Sequence, residues 1–144
     1  MEVIVGMLLF GMVIMTLTAA ISPLMLAYNR ANDLAEYNQL LDAIGNRIAS
    51  EMAKATDING SENSVTIETD SGEIIYTALS GHLLRNGAPV YQPEFYRGKT
   101  ISFTVNEDDA PNFFLILTVS STASGRHTGS TISRPYAVRP LLMS

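Results

Sequence analysis

The sequence predicts an α+β protein in which one long N-terminal helix crosses a membrane with its first half and covers an antiparallel β-sheet with its second half. Three observations indicate this fold class. Residues 3–29 contain no charged side chain, the following stretch repeats apolar residues at spacings of three and four, and the remainder alternates apolar and polar residues between turn signals. We therefore predict a membrane helix at 1–28 and a globular domain at 29–144, with an amphipathic helix at about 29–57 and the sheet at 64–144.

Composition excludes several classes of function. The 144 residues carry 9 Lys plus Arg and 14 Asp plus Glu, a formal net charge of −5 at pH 7. An acidic chain without a Lys/Arg cluster disfavours nucleic-acid binding by a single subunit. The absence of cysteine excludes disulfides, thiol catalysis and cysteine-ligated metal. No Gly-x-Ser-x-Gly elbow and no phosphate-binding glycine loop with its lysine occurs, so we predict neither catalysis nor a cofactor.

The uncharged segment 3–29 is long enough to cross a bilayer. As a helix it measures about 40 Å, more than the roughly 30 Å of hydrocarbon in a membrane. A cleavable signal peptide is the main alternative, because Thr18 and Ala20 bound a run of small residues. No basic region precedes the apolar run, so we expect the segment to be retained.

Three residues within this segment weaken a helix. Pro23 removes a backbone donor and clashes with the preceding turn, which predicts a kink or local loosening. Gly6 and Gly11 lower helix propensity. The glycines fit either close packing of helices in a bilayer or a helix that stretches locally, and the sequence favours neither strongly.

Beyond Tyr28 the chain becomes polar but keeps a helical period. The apolar stripe comprises Leu34, Tyr37, Leu41, Ile44, Ile48, Met52 and Ala55. This stripe fits either a coiled-coil partner or a sheet of the same chain, and we favour the sheet. We expect the helix to end around Asp57, where Asp57, Asn59, Gly60, Ser61 and Asn63 predict a turn-rich loop.

The sheet is predicted from short alternating runs. They are Val65–Ile67, Ile74–Ala78, His82–Arg85, Pro89–Tyr91, Ile101–Val105 and Phe113–Val119. Asn86-Gly87 predicts a tight hairpin between the third and fourth runs. Phe113–Val119 is the most apolar run and predicts a central strand buried on both faces. Ser120–Ser133 predicts a long loop, and Tyr136–Met143, which contains Pro140, predicts an edge strand or extended end.

Other polar residues have stronger structural than functional explanations. His82 and His127 have no second histidine at metal-ligand spacing. The run Asn106-Glu107-Asp108-Asp109 fits a solvated turn better than a calcium loop. Asn59-Gly60-Ser61 matches a glycosylation pattern but also a turn. We interpret Arg126, Arg134 and Arg139 as scattered surface charges, with a basic patch as the alternative.

The start of the chain, Met1-Glu2-Val3-Ile4-Val5-Gly6-Met7-Leu8-Leu9-Phe10-Gly11, resembles the hydrophobic N-terminal motif of type IV pilins and pseudopilins. In that motif a lone glutamate lies near the start of an uncharged helix. The segments Ile74-Ile75-Tyr76 and Leu83-Leu84-Arg85-Asn86-Gly87 are similar to segments in the sheet domains of minor pilins. Aligning the glutamates places Met1 at the fourth family position, so we expect a basic leader and three mature residues to be missing from this sequence. Met1 is then either an internal methionine or the result of trimming.

The resemblance implies a pilin-like fold and a role for Glu2 in assembly, through the terminal amine of a neighbouring subunit. It implies like or related pilin subunits as partners in a helical filament, an inner-membrane assembly platform and an ATP-driven motor. It also implies a single-pass protein of the bacterial inner membrane, surrounded by lipid before assembly, with an extracytoplasmic domain. We expect a structural subunit of a type IV pilus or a secretion or competence pseudopilus. The alternatives are a monomeric membrane-anchored binding domain and a secreted protein whose first segment is removed.

Overall fold

A computed structural model describes residues 2–108, 112–122 and 129–141. It confirms the α+β layout, with one long helix followed by antiparallel sheets. The chain divides into two compact units, residues 1–36 and residues 37–144. Each unit is described by itself below.

The helix α1 runs from Glu2 to Met52 and has 51 residues. The predicted end near Asp57 is wrong, because Asp57–Ser61 forms the first strand, β1. The predicted loop over these residues is therefore wrong as well. Their backbone groups pair in an antiparallel ladder with Ser64–Thr69, which overrides the weak strand propensity of Asp, Asn and Gly. The turn itself is confined to Glu62 and Asn63.

The strands form two antiparallel sheets. The first sheet has five strands in sequence order: β1, β2 (Ser64–Thr69), β3 (Gly72–Leu79), β4 (His82–Arg85) and β5 (Ala88–Pro89). A 3₁₀ turn at Pro93–Tyr96 leads to the second sheet. That sheet contains β6 (Lys99–Asp108), β7 (Asn112–Ser121) and β8 (Thr131–Val138), with β7 in the centre.

Asn63 joins the two sheets. Its left-handed backbone, with φ of 57°, turns β1 into β2. Its backbone N–H donates to the carbonyl of Phe103 at 2.8 Å, and its side-chain Oδ1 accepts from the Phe103 N–H at 3.1 Å. Its carbonyl accepts from the N–H of Ala78 at 2.8 Å. One residue therefore satisfies backbone groups of both β3 and β6.

The hairpin at Asn86-Gly87 is confirmed. Both residues have positive φ, 51° and 80°, as a tight turn with two left-handed positions requires. The Asn86 side chain accepts a hydrogen bond from the N–H of Ile75 at 2.7 Å, so it also ties the turn to β3. The second arm is shorter than predicted, since β5 ends at Pro89.

The central position of β7 is confirmed, but its burial on both faces is not. Phe113, Leu115, Leu117 and Val119 are buried, whereas the residues between them are half-buried. This alternation is typical of an antiparallel sheet that places one face on the core.

The predicted loop Ser120–Ser133 is too long. Ser120 and Ser121 extend β7, and Thr131–Ser133 begin β8; residues 123–128 lie outside the described residues. The C-terminal strand ends at Val138, earlier than predicted. It pairs with β7 alone in the described chain and contains Pro135, which suits an edge.

The core of the second unit lies between the last part of α1 and the sheets. The buried residues of the helix are Tyr37, Leu40, Leu41, Ile44, Gly45, Ile48 and Met52. They join one apolar cluster with inward residues of both sheets, including Tyr76, Phe103 and Leu115. This confirms that the apolar stripe covers sheet residues of the same chain from Tyr37 onward, whereas Leu34, its first predicted member, is exposed.

Tyr136 of β8 packs closely against the helix at Gly45. A Cβ added at Gly45 would overlap its ring. The Tyr136 hydroxyl donates to the carbonyl of Leu41 at 2.6 Å. Beside it, the Arg134 guanidinium pairs with Asp42 and donates to the Asn38 side chain at 2.8 Å. Glycine at position 45 therefore admits a side chain that fixes β8 on the helix.

We predict that a fragment beginning at Asn29 is soluble and unfolds cooperatively, because the helical residues that cover the sheets begin at Tyr37. Circular dichroism during urea denaturation would measure this. Precipitation, or a broad transition without a baseline, would contradict the division into a membrane helix and a globular domain.

In that fragment we predict that Gly45→Ala lowers the free energy of unfolding by about 1–3 kcal/mol, because the new methyl group overlaps the Tyr136 ring. The loss is expected although alanine has the higher helix propensity. In a Tyr136→Ala background the same change should be neutral or stabilising. Equal effects in both backgrounds, measured by urea denaturation, would disprove the contact.

Candidate functional site

Residues 3–29 of the first unit present a largely apolar surface on all sides of the helix. Every residue from Glu2 to Ala35 is exposed, and the large side chains are among the most exposed, for example Phe10 at 68% and Leu24 at 67%. The helix is long and apolar enough to cross a membrane. These properties are consistent with a single-pass membrane protein. An apolar surface of this extent marks a segment that binds lipid or other protein.

The hydroxyl groups of Thr16 and Thr18 are hydrogen-bonded inside the helix. The Thr16 hydroxyl donates to the carbonyls of Met12 and Val13 at 3.1 and 2.9 Å, and the Thr18 hydroxyl donates to that of Ile14 at 2.8 Å. These bonds hide the hydroxyl groups from an apolar solvent. Glu2 carries the one charged side chain between residues 2 and 29.

Glu2 lies in the first turn of α1. A carboxylate is costly at depth in lipid, by up to about 2.5–3.5 kcal/mol at the bilayer centre. A cation within reach of the carboxylate would offset that cost.

Gly11 and Pro23 both lie inside the continuous helix. A Cβ at Gly11 would meet no atom within 4 Å in this chain, so the open surface there is available to another molecule. Pro23 has no N–H, so the carbonyl of Ala19 lacks its usual donor. Flexibility at these two positions stays a prediction.

The sequence also singled out the two histidines, His82 and His127. The His82 ring packs edge-on against Tyr96, with centroids 4.6 Å apart. His127 lies outside the described residues. No group of three His, Cys, Asp or Glu side chains suitable for a metal occurs among the residues that the structure describes.

The acidic run is not a turn over its described length. Asn106, Glu107 and Asp108 continue β6 and pair with Phe114, Phe113 and Asn112 of β7. The expectation of a solvated turn is thus wrong for these three residues, although they are exposed. Asp109 lies outside the described residues.

The other two motifs also lie on strands. Asn59-Gly60-Ser61 belongs to β1, and a Cβ at Gly60 would overlap Val105, so the glycine permits close approach of β1 and β6. Arg134 is held by Asp42 and Asn38 of the helix, which gives it a structural partner. Arg126 lies outside the described residues, and Arg139 follows β8.

A polar cluster under the end of α1 was missed by the sequence analysis. Arg47 Nε donates to the Tyr76 hydroxyl at 3.4 Å, and Arg85 Nη2 lies 3.5 Å from Glu51 Oε2. The available signal was the spacing of Arg47 and Glu51, which puts opposite charges four residues apart on the helix. Tyr76 was assigned only to the apolar face of a strand.

Burial controls the ionisation of this cluster. Burial raises the pKa of the Tyr76 phenol; the hydrogen bond from Arg47 opposes the rise, and the Glu51 carboxylate adds to it. The same hydrogen bond raises the pKa of Arg47. Burial also raises the pKa of Tyr96, whose hydroxyl accepts from the Leu83 N–H at 2.9 Å. The folded unit therefore holds these tyrosines in the neutral form.

In comparisons with known proteins, no family model, no curated protein and no solved structure matches the chain. We therefore infer the function from the geometry of the described residues and from the N-terminal resemblance.

We predict that the Asn29 fragment loses stability as the pH rises above about 10, the ordinary pKa of tyrosine. A phenol whose folded pKa is raised contributes its full stability below the unfolded pKa and loses it as the pH rises toward the folded pKa. Tyr76→Phe should flatten this alkaline decrease. Urea denaturation across the alkaline range measures both slopes, and parallel slopes would contradict the assignment to Tyr76.

Proposed function

We propose that the protein is a structural subunit of a type IV pilus or of a type II secretion or competence pseudopilus, assembled from the inner membrane. The observation that supports this most is the single carboxylate of Glu2 beside the uncharged apolar segment 3–29, every residue of which is exposed. The pilin-like N-terminal motif adds to it, and so does the α+β layout. From the resemblance we infer a pilin-like fold and an extracytoplasmic location for the domain, and the α+β layout is compatible with that fold.

The apolar surface of α1 has two stable environments, the bilayer and a bundle of similar helices. Transfer of the segment from one to the other avoids exposing it to water, whose cost is about 25 cal/mol per Å² of apolar surface. The membrane thus acts as a reservoir of subunits. Heterologous contacts between copies that do not close into a ring produce an open filament. An inner-membrane platform and an ATP-driven motor would supply the work of extraction.

Glu2 gives this assembly its axial register. A bundle of helices that are uniformly apolar has many sliding positions of similar energy. A carboxylate buried among such helices is costly unless a cation meets it. The terminal amine of a neighbouring subunit is the cation that the pilin resemblance implies. One pairing distance then selects one stagger between neighbours.

Gly11 and Pro23 suit a helix that adjusts its length or direction during assembly. Glycine lowers helix stability by about 1 kcal/mol relative to alanine. Proline leaves one carbonyl without its donor. Gly11 also offers an open surface against which a neighbouring helix packs closely.

We predict that Glu2→Ala and Glu2→Gln leave membrane insertion and domain folding unchanged but abolish filament formation, because both remove the charge that pairs with a neighbour. Glu94→Gln, which alters an exposed carboxylate of the second unit, is the matched control and should assemble normally. Filaments sheared from cells and pelleted, compared with the subunit in the membrane fraction, give the measurement. The intact mass of the sheared subunit should include the apolar segment.

Normal assembly of Glu2→Gln would remove the register argument. A monomeric membrane-anchored binding domain, the main alternative, predicts that no variant and not even the natural protein enters a sheared filament. A secreted protein predicts a mature terminus near Ala20. These three outcomes are distinct in the same experiment.

A further inference from the structure

The strand β1 contains the only Asn-x-Ser or Asn-x-Thr sequence in the chain, Asn59-Gly60-Ser61. This pattern is the acceptor for asparagine-linked glycosylation. The same residue types are also typical of a turn, but the structure removes that explanation because they lie within the strand Asp57–Ser61. Asparagine and glycine are depleted in strands, and the close approach of Val105 accounts only for Gly60. Neither a turn nor the strand therefore explains Asn59.

The alternation of side chains along β1 places the acceptor amide on the solvent-facing side of the sheet. Ile58 is buried, whereas Asp57, Asn59 and Ser61 are exposed, as expected where successive residues point to opposite faces. The Asn59 amide forms no hydrogen bond to another residue in the described parts of the chain. The Ser61 hydroxyl donates a long hydrogen bond, 3.5 Å, to the carbonyl of Ser64. The amide and the hydroxyl that the pattern requires thus share one exposed face.

The same face offers apolar contact to a sugar on Asn59. In the ladder Asn59 pairs with Thr66 and Thr66 pairs with Ile75, so the three form one row across β1, β2 and β3. Ile75 is 38% exposed and lies two strand spacings, about 10 Å, from Asn59. The C–H face of a sugar ring packs on an aliphatic side chain of this kind, while its hydroxyl groups stay in water. An oligosaccharide on Asn59 would therefore cover exposed apolar surface of β3.

We propose that Asn59 is the acceptor of an N-linked oligosaccharide. The donor is an oligosaccharide carried on a lipid diphosphate, and the partner is a membrane oligosaccharyltransferase. Asn59 Nδ2 forms a bond to the anomeric carbon of the first sugar, and the bond from that carbon to the diphosphate oxygen breaks. The lipid diphosphate leaves with the electron pair, and the amide loses one proton to solvent. Nothing is oxidised or reduced in this transfer.

The proposal rests on the extracytoplasmic location given under the proposed function, because N-linked glycans are typical of the surfaces of secreted proteins. In the folded unit all of β1 pairs with β2. A transferase that must surround the acceptor backbone therefore acts before this ladder forms. After folding, the outward direction of Asn59 lets the sugar remain without displacing the core.

Mass spectrometry of the natural protein, purified from the membranes of its own cells, tests the proposal. Trypsin releases residues 55–85 as one peptide, because no Lys or Arg lies between Lys54 and Arg85. That peptide should carry the added mass of whole sugar residues, and electron-transfer fragmentation should localise this mass to Asn59. The bare peptide alone, or sugar on a serine or threonine, would overturn the proposal.

Variants produced in the same cells identify the acceptor sequence. Asn59→Gln and Ser61→Ala should each abolish the modification, whereas Ser61→Thr, which keeps the hydroxyl, should retain it. Ser71→Ala removes another exposed hydroxyl of the same peptide and is the matched control, which should remain modified. Sugar retained in Asn59→Gln or in Ser61→Ala would overturn the assignment.

The result for Asn59 is separable from the result for filament assembly. A glycosylated subunit that never enters a sheared filament would support this site and remove the proposed pilus function. A bare Asn59 in a subunit that assembles normally would overturn this site alone.

Discussion

The need to cover apolar surface governs this molecule. The same helix meets it in two ways: residues 37–52 bury one face among the sheets, and Glu2–Ala35 has no cover from within its unit. Burial of a large aliphatic side chain contributes about 1.5–3 kcal/mol, so the exposed segment represents a large stabilisation that only surroundings can supply. Lipid and neighbouring helices are both such surroundings. In the proposed filament, the single carboxylate of Glu2 would determine which neighbours fit and at what stagger.

Within the second unit, polar contacts determine where the apolar contacts form. Tyr136 reaches over Gly45 to the carbonyl of Leu41, while Arg134 holds Asp42 and Asn38. These bonds fix the edge strand on the helix and set the angle at which the apolar faces meet. Such specific contacts select one arrangement from the several that a hydrophobic face alone would permit.

The helical stripe, most of the strands and the Asn86-Gly87 turn could be predicted from the sequence, because periodicity and turn chemistry are local properties. The strand Asp57–Ser61 could not, since its residues favour turns and only the ladder with β2 makes them extended. The prediction that Phe113–Val119 is buried on both faces was wrong for a related reason, because an apolar run does not reveal how many of its faces are covered. Glu2 could be chosen as a candidate because a lone charge in an apolar run is a local signal, and its role in assembly stays a prediction. The cluster of Arg47, Tyr76, Glu51 and Arg85 depends on the tertiary pairing of helix and sheet, so spacing along the chain indicated only its helical half.

Asn63 links the two sheets through hydrogen bonds. Because its backbone and side chain engage Phe103 while its carbonyl engages Ala78, neither sheet detaches without breaking bonds of the other. The two sheets therefore share a hydrogen-bonded link at the turn between β1 and β2, and a side chain at position 63 that cannot accept a hydrogen bond would leave the N–H of the buried Phe103 unpaired.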